Sequence, residues 1–274
     1  MDELYGVDAY SPDQIAERIE STGVRKARLP WLKTAALGVL AGGFIGLGAL
    51  FYTVVASDPL LGFALQRVLG GVVFSMGLIL VVVAGAELFT GNNLMVMSWV
   101  SSRISTRLLL RNLLVVYFAN AVGAIGLAGL VALSGHGDFH DGIVGSTAVE
   151  IATAKTSLGF AEAFFKGVLC NVLVCLGVWL AMAGRSVTDK AVAIVFPISA
   201  FVAAGFEHSV ANMYFVPLGL FLAEDPAPAH LTWQSFAMGN LVPVTLGNLI
   251  GGAGMVGLVY HLIYRRGRRG HTGG

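Results

Sequence analysis

The stretch AGFEHSVANM, residues 204–213, sets Glu207 and His208 side by side in surroundings that are otherwise almost wholly apolar. A histidine, with a reference pKa near about 6.5, exchanges protons around physiological pH and is suited to giving one to a passing anion. A second stretch, AGAELFTGNN from Ala84, repeats the pattern and pairs Glu87 with Glu207 and Asn92 with Asn212. His208 breaks the match, because its counterpart is Leu88. A polar exception inside a repeated cluster is where chemistry is most readily added, although a lone histidine on an apolar face is often a satisfied core residue. Glu87 and Glu207 read as anchors that accept hydrogen bonds from amides freed where a helix breaks.

Enzymatic chemistry fits these residues poorly. Ser209 follows His208 directly, and neighbours on a helix point about 100° apart, which misplaces a nucleophile and its base. No HExxH or comparable metal-ligand spacing occurs. The two cysteines, Cys170 and Cys175, lie in one apolar stretch on different helix faces, so neither a disulfide nor a metal site is expected. No enzyme activity, metal or cofactor is implied.

The elements that must hold Glu207 and His208 are membrane spans. The chain is 274 residues long, 56% hydrophobic and only 12% charged, with a mean hydropathy of +0.77, far from a soluble composition. Apolar stretches fall near 33–56, 68–100, 108–134, 160–183, 189–222 and 236–264, and a crossing helix needs roughly 20 apolar residues. Six spans are predicted in an all-α polytopic fold. Residues 1–30 form a cytoplasmic segment without a cleavable signal pattern, in which Ser11, Pro12 and Gln14 start a short amphipathic helix with Ile15 and Ile19 on one face, lying at the membrane surface. Residues 31–264 form the transmembrane domain and 265–274 a basic cytoplasmic tail.

Charge sets the orientation. Six spans put both termini and the 2–3 and 4–5 loops on one side, with fourteen lysines and arginines, and leave only Arg67, Lys155 and Lys166 for the other. That asymmetry makes both termini cytoplasmic in an inner (plasma) membrane. The charges sit in flanks and loops, so no nucleic-acid partner is implied.

The spans also repeat. NLLVVYFANAVGAIGLAGLV from Asn112 matches NLVPVTLGNLIGGAGMVGLV from Asn240, aligning Asn112 with Asn240, Asn120 with Asn248 and Gly123 with Gly251 at one offset. A weaker match joins WLKTAALGVL to FFKGVLCNVL. Three helices thus occur twice, about 31–134 and 160–264, and an odd number makes the copies inverted, with a pathway at their interface. A glutamate, glycines and an asparagine at bilayer depth survive only in protein or along a cavity, so the second and fifth spans are expected to break near Glu87 and Glu207.

AGAELFTGN, FFKGVLCNVLVCLGVWLAM, GFEHSVANM and NLVPVTLGN together resemble the formate/nitrite transporter family over residues 30–264. The resemblance implies an aquaporin-like protomer, a homopentamer in the lipid bilayer with one pathway per subunit, and passive, pH-sensitive passage of small monovalent anions or their conjugate acids. Carried over by residue, it makes His208 the central pore histidine and Thr90 its hydrogen-bonding neighbour. It assigns Phe74 and Phe201 to one apolar constriction and Leu78, Leu88 and Val174 to the other. It adds Lys155, as a charge that draws anions inward, and Asn171. A lysine snorkelling at the membrane edge is the alternative for Lys155, and the Phe and Leu residues on composition alone are ordinary packing.

Formate is the favoured substrate because NLVPVTLGNLIGG leans toward formate members, with nitrite and hydrosulfide as alternatives. A neutral-solute channel for water or ammonia is a further alternative, but the two Asn-Pro-Ala boxes of water channels are replaced here by GNN and ANM.

Overall fold

The computed structural model describes residues 9–265, and among these no strand occurs beyond an isolated bridge between Ala9 and Gly184. Helix α1 (Pro12–Ala27) starts with Pro12 at its first turn and with the expected capping box: Ser11 Oγ accepts from the Gln14 N–H while the Gln14 side chain accepts from the Ser11 N–H. Ile15 and Ile19 are buried, packed in one cluster with Met97, Trp179 and Val256, so the apolar face of α1 rests on the protein's own helices. Of the predicted basic tail, Arg266, Arg268 and Arg269 lie outside the described residues.

Five helices are long and apolar enough to cross a membrane: Trp31–Ala56, Phe63–Ala84, Thr106–Leu133, Phe160–Ala183 and Ser235–Tyr264. The first is α2, the third α7 (with α5 and α6 between), and the fourth α9. The second consists of α3 (Phe63–Phe74) and α4 (Met76–Ala84), and the last contains α12 (Val242–Leu249) and α13 (Val259–Tyr264) joined by wider π-helical turns. Large apolar side chains such as Phe118, Val122, Leu130, Phe196 and Ile263 face outward, as expected of a multi-pass helical membrane protein. The predicted stretch 189–222 comes in two pieces, α10 (Val187–Ala203) and α11 (Ser209–Leu222). Each piece is too short to cross alone.

Both predicted breaks occur. Helix α4 ends at Ala84, Gly85 turns left-handed at φ 84°, and the chain resumes as α5 (Phe89–Asn92), followed by α6 (Val96–Val100). Helix α10 ends at Ala203, and Gly205 turns left-handed at φ 73° before α11. Each end is closed by a long backbone bond, Ala86 N–H to Val81 O at 2.9 Å and Phe206 N–H to Phe201 O at 3.0 Å, which a left-handed glycine permits. The carbonyls at the end of α10 are also capped: the Arg67 guanidinium donates to Val202 O at 2.6 Å and Ala203 O at 3.0 Å.

The sequence reading missed α8 (Ile143–Thr156), a short helix carrying Lys155 in its last turn. α1 and α8 play matching parts, because each precedes a long helix and each ends in a lysine-bearing turn.

Close crossings hold the breaks in place. Helices α2 and α7 approach until a Cβ at Gly123 would strike the Val39 carbonyl and one at Gly42 the Asn120 carbonyl. Helices α9 and α12 meet in the same way, Gly247 against the Phe164 carbonyl, and just beyond α12 Gly251 meets the Val168 carbonyl. In lipid such contact is driven by packing at small residues rather than by hydrophobic expulsion. Gly123→Ala must therefore push α2 away from α7, at a cost of about 1–3 kcal/mol. It is expected to lower the thermal unfolding midpoint of the purified protein, whereas Gly126→Ala, where a Cβ meets nothing within 4 Å, leaves it unchanged.

Candidate functional site

Six buried asparagines and two glutamates build the site. At the first break Asn120, on α7, donates to Gly38 O at 2.8 Å and Glu87 O at 2.9 Å, and its Oδ1 accepts the Phe89 N–H at 2.9 Å. At the second, Asn248 on α12 donates to Gly167 O at 2.8 Å and Glu207 O at 3.0 Å, and accepts the Ser209 N–H at 3.0 Å. Buried backbone groups released by a break need such partners.

The two glutamate side chains therefore do something other than expected. Glu87 does not take the freed amides: its carboxylate meets Lys26 Nζ at 3.1 Å and accepts from Asn92 Nδ2 at 2.8 Å. Asn92 in turn accepts from Lys26 Nζ at 2.8 Å and donates to Asn112 Oδ1 at 2.8 Å. Glu207 meets Lys155 Nζ at 2.8 Å and accepts from Asn212 Nδ2 at 2.6 Å. Asn212 donates to Asn240 Oδ1 at 2.7 Å, and Asn240 donates to Lys155 O at 2.9 Å. The anchors at the breaks are side-chain networks of Lys, Glu and two Asn, one per break. Lys155 consequently does not snorkel freely but is held by Glu207, with Phe215 5.3 Å beneath its ammonium.

Sequence reading used Lys26 only as an orientation charge, and Asn112, Asn120, Asn240 and Asn248 only as marks of a repeat. The four asparagines carried a signal in their common offset. Lys26 carried none, because its counterpart Lys155 sits on a linking helix of different length and sequence.

Two cavities approach the breaks from opposite ends of this constellation. One, of about 390 Å³, is lined by Lys26, Glu87, Asn92, Leu78 and Leu88. The other, of about 240 Å³, is lined by Lys155, Glu207, Asn212, Phe74, Phe201 and His208. His208 lines the second cavity, and Thr90, flanked by Leu88 and Gly91 of the first, meets its Nε2 through Oγ1 at 2.9 Å, with both residues buried. Phe74 and Phe201 meet edge to face at 5.7 Å between centroids, and Phe201 stacks on the His208 ring at 5.9 Å.

The histidine's hydrogen bonds assign its tautomer. Its Nδ1 accepts the Ala211 N–H at 3.0 Å, capping α11, and an acceptor nitrogen carries no proton. The neutral ring thus holds its hydrogen on Nε2 and donates to Thr90 Oγ1, leaving the Thr90 hydroxyl hydrogen free for another acceptor.

The structure therefore gathers His208, Thr90, Phe74, Phe201, Leu78, Leu88 and Lys155 around the two cavities and their junction. Val174 and Asn171 line neither of these two. Val174 is buried in the core against which Leu78 and Leu88 pack. Asn171 braces the centre, donating to Asn248 O at 2.6 Å and Thr90 O at 3.3 Å, while its Oδ1 is buried with no partner among the described residues.

Comparison with known proteins bears on this arrangement. A family profile described as formate/nitrite transporter matches residues 13–262. The chain is 41% identical over 273 residues to the formate channel FocA of Escherichia coli strain K12, covering 94% of this chain and 96% of that one. Among solved structures it resembles a pentameric formate channel with formate bound, with a TM-score of 0.78 and 40% identity over 85% of this chain and 97% of the other. It also resembles an ion channel of the same family, with a TM-score of 0.82 and 31% identity over 91% and 98% of the two chains.

Proposed function

Because the chain belongs to the formate/nitrite transporter family, we propose that it is a passive, pH-dependent channel for small monovalent anions or their conjugate acids, with formate as its substrate. The observation that carries this reading is the Thr90–His208 hydrogen bond, which joins His208 in the lining of the Lys155 cavity to Thr90, flanked by Leu88 and Gly91 of the Lys26 cavity. The likeness to a pentameric formate channel with formate bound supports a homopentamer with one pathway per subunit. The matched networks at Glu87 and Glu207 and the matched crossings at Gly123 and Gly251 support two inverted three-helix repeats, with α10 and α11 together making the sixth span. Charge asymmetry supports a cytoplasmic position for both termini, and with them for the Lys26 cavity, in the plasma membrane.

The mechanism follows from the cost of charge. A bare carboxylate between the Phe74/Phe201 and Leu78/Leu88 constrictions loses several kcal/mol of hydration, far more than the neutral acid. Lys26 and Lys155 raise the local anion concentration at the two mouths without binding tightly, since each is already paired. At the centre the free Thr90 hydroxyl hydrogen donates to a carboxylate oxygen, with His208 Nε2–H holding its oxygen from behind. Delivery of a proton by His208 requires the imidazolium, in which Nδ1 also carries hydrogen and the bond from the Ala211 N–H is given up. The neutral acid then passes either constriction. Thr90→Val keeps the shape and removes the donor; formate flux is expected to fall roughly tenfold, in line with the loss of one hydrogen bond to a charged group. Equal flux in wild type and Thr90→Val removes the threonine from the mechanism.

The test of the function is formate uptake into proteoliposomes with a pH dye inside and the potential clamped, with nitrite and hydrosulfide in parallel. Lumenal acidification insensitive to potential supports passage of the acid or of anion plus proton. Potential-driven uptake without acidification makes the protein an anion channel in which His208 serves selectivity. No uptake of any of the three ions overturns the assignment.

A further inference from the structure

We propose that the face carrying α1 holds a binding site for a small, multiply charged, phosphate-bearing anion, beside the pore mouth and distinct from the substrate pathway. Only its effect on flux rests on the channel reading. A third cavity, of about 400 Å³, is lined by the cations Arg18, Arg25 and Lys190 and by the hydroxyl residues Ser21 and Thr22, over a floor of Ala181 and Met182. No carboxylate lines it among the described residues. Asp189, next to Lys190 in sequence, is turned to its own capping box, where it accepts the Arg185 N–H at 3.0 Å and the Ser186 N–H at 2.8 Å.

Among the described residues the lining cations Arg18, Arg25 and Lys190 form no salt bridge. Arg18 Nε is buried with no hydrogen-bond partner among the described residues. The Arg18 guanidinium lies over the Tyr10 ring, 4.0 Å from its centroid, and a ring quadrupole attracts a cation without neutralising it. The walls are held together before any ligand arrives, because Tyr10 N–H bonds to Ala183 O at 3.0 Å and ties the start of α1 to the end of α9. Three cations around one cavity repel one another, and a bound anion offsets that repulsion.

Charge and size select the class of ligand. A monovalent ion such as formate leaves two of the three lining cations uncompensated. Paired guanidinium N–H groups match phosphoryl oxygens, and the Ser21 and Thr22 hydroxyls supply further donors. Thr22, Arg25, Val82 and Met182 line this cavity and the Lys26 vestibule alike. A multivalent anion bound here therefore stands beside the pathway and repels substrate anions approaching from that side.

The probe is inorganic pyrophosphate, titrated calorimetrically into the purified full-length protein, with sulfate and chloride as comparators. Saturable binding is expected, weakened at least tenfold in Arg18→Gln/Lys190→Gln and severalfold in Lys190→Gln alone, with unfolding midpoints unchanged. Formate flux is expected to fall only when pyrophosphate is on the α1 face. Absence of saturable binding, equal affinity in the double variant, or competition by equimolar chloride overturns the site. Removing residues 1–8, which include Asp2, Glu3 and Asp8, separates a free ligand from the chain's own acids: binding to the full chain supports the proposal, and binding seen only after removal overturns it. Intact pyrophosphate binding in a protein that passes no formate overturns the channel reading and leaves this site standing.

Discussion

Replacement of His208 by asparagine is expected to flatten the pH dependence of formate flux and to lower flux at acid outside pH by about a hundredfold, the lower end of positioned acid catalysis. The substitution is chosen for what it keeps. Asparagine is a good N-cap, so its side-chain oxygen can still accept the Ala211 N–H and hold the start of α11. What it removes is the group that titrates. On the proposed relay, wild-type flux is expected to rise as outside pH falls for two reasons: more substrate is already neutral, and any His208 imidazolium that forms can protonate the rest. The variant keeps only the first. Measured in proteoliposomes, its profile should follow the bulk fraction of acid, while the wild-type profile is steeper. Equal flux in a folded, correctly assembled variant at every pH would eliminate the relay and leave His208 as a cap for α11.

The second large effect concerns the Lys155–Glu207 pair. Both side chains are mostly withdrawn from solvent, 16% and 6% exposed, and the carboxylate is shared with Asn212 and Asn240. Lys155→Met strands that carboxylate beside uncharged amides, and breaking a buried pair from one side costs about 3–5 kcal/mol. Lys155→Met/Glu207→Gln removes both charges while an amide still meets Asn212. It is expected to recover much of the loss, with a coupling of about 0.5–3 kcal/mol in a double-mutant cycle by chemical unfolding. Additive effects would show that the pair does not hold the break. Flux at low formate concentration should fall in both variants, because neither retains the Lys155 ammonium, although Arg67 and Lys166 still line that cavity.

Much of this site was visible along the chain. The offset that aligns Asn112 with Asn240 and Asn120 with Asn248, and the recurrence of Ala-Gly-x-Glu, placed both breaks within a residue or two, because glycine and buried polar residues at bilayer depth have few other uses. His208 stood out because a titratable residue there takes the place of Leu88 in the first copy. The partners of the two glutamates were not visible. Glu87 reaches Lys26 and Glu207 reaches Lys155 across long stretches of sequence, and no local spacing encodes a contact that exists only after α1 and α8 fold back against the breaks. Helix α8 was missed because its apolar face is short and lacks a start signal as clear as Ser11-Pro12.

Composition and periodicity were therefore enough for the helical membrane class and the location of the polar breaks, since each reflects the cost of polar groups in an apolar medium, a cost paid residue by residue, while the family resemblance rested on the motifs themselves. The atoms that meet at each break were decided by tertiary packing. Freed amides went to Asn120 and Asn248 and the carboxylates to lysines because glycine crossings brought α7 and α12 close enough for an asparagine to span three backbone groups. The tautomer of His208 likewise follows from α11 beginning where its Nδ1 can cap it, which leaves Nε2 to face Thr90.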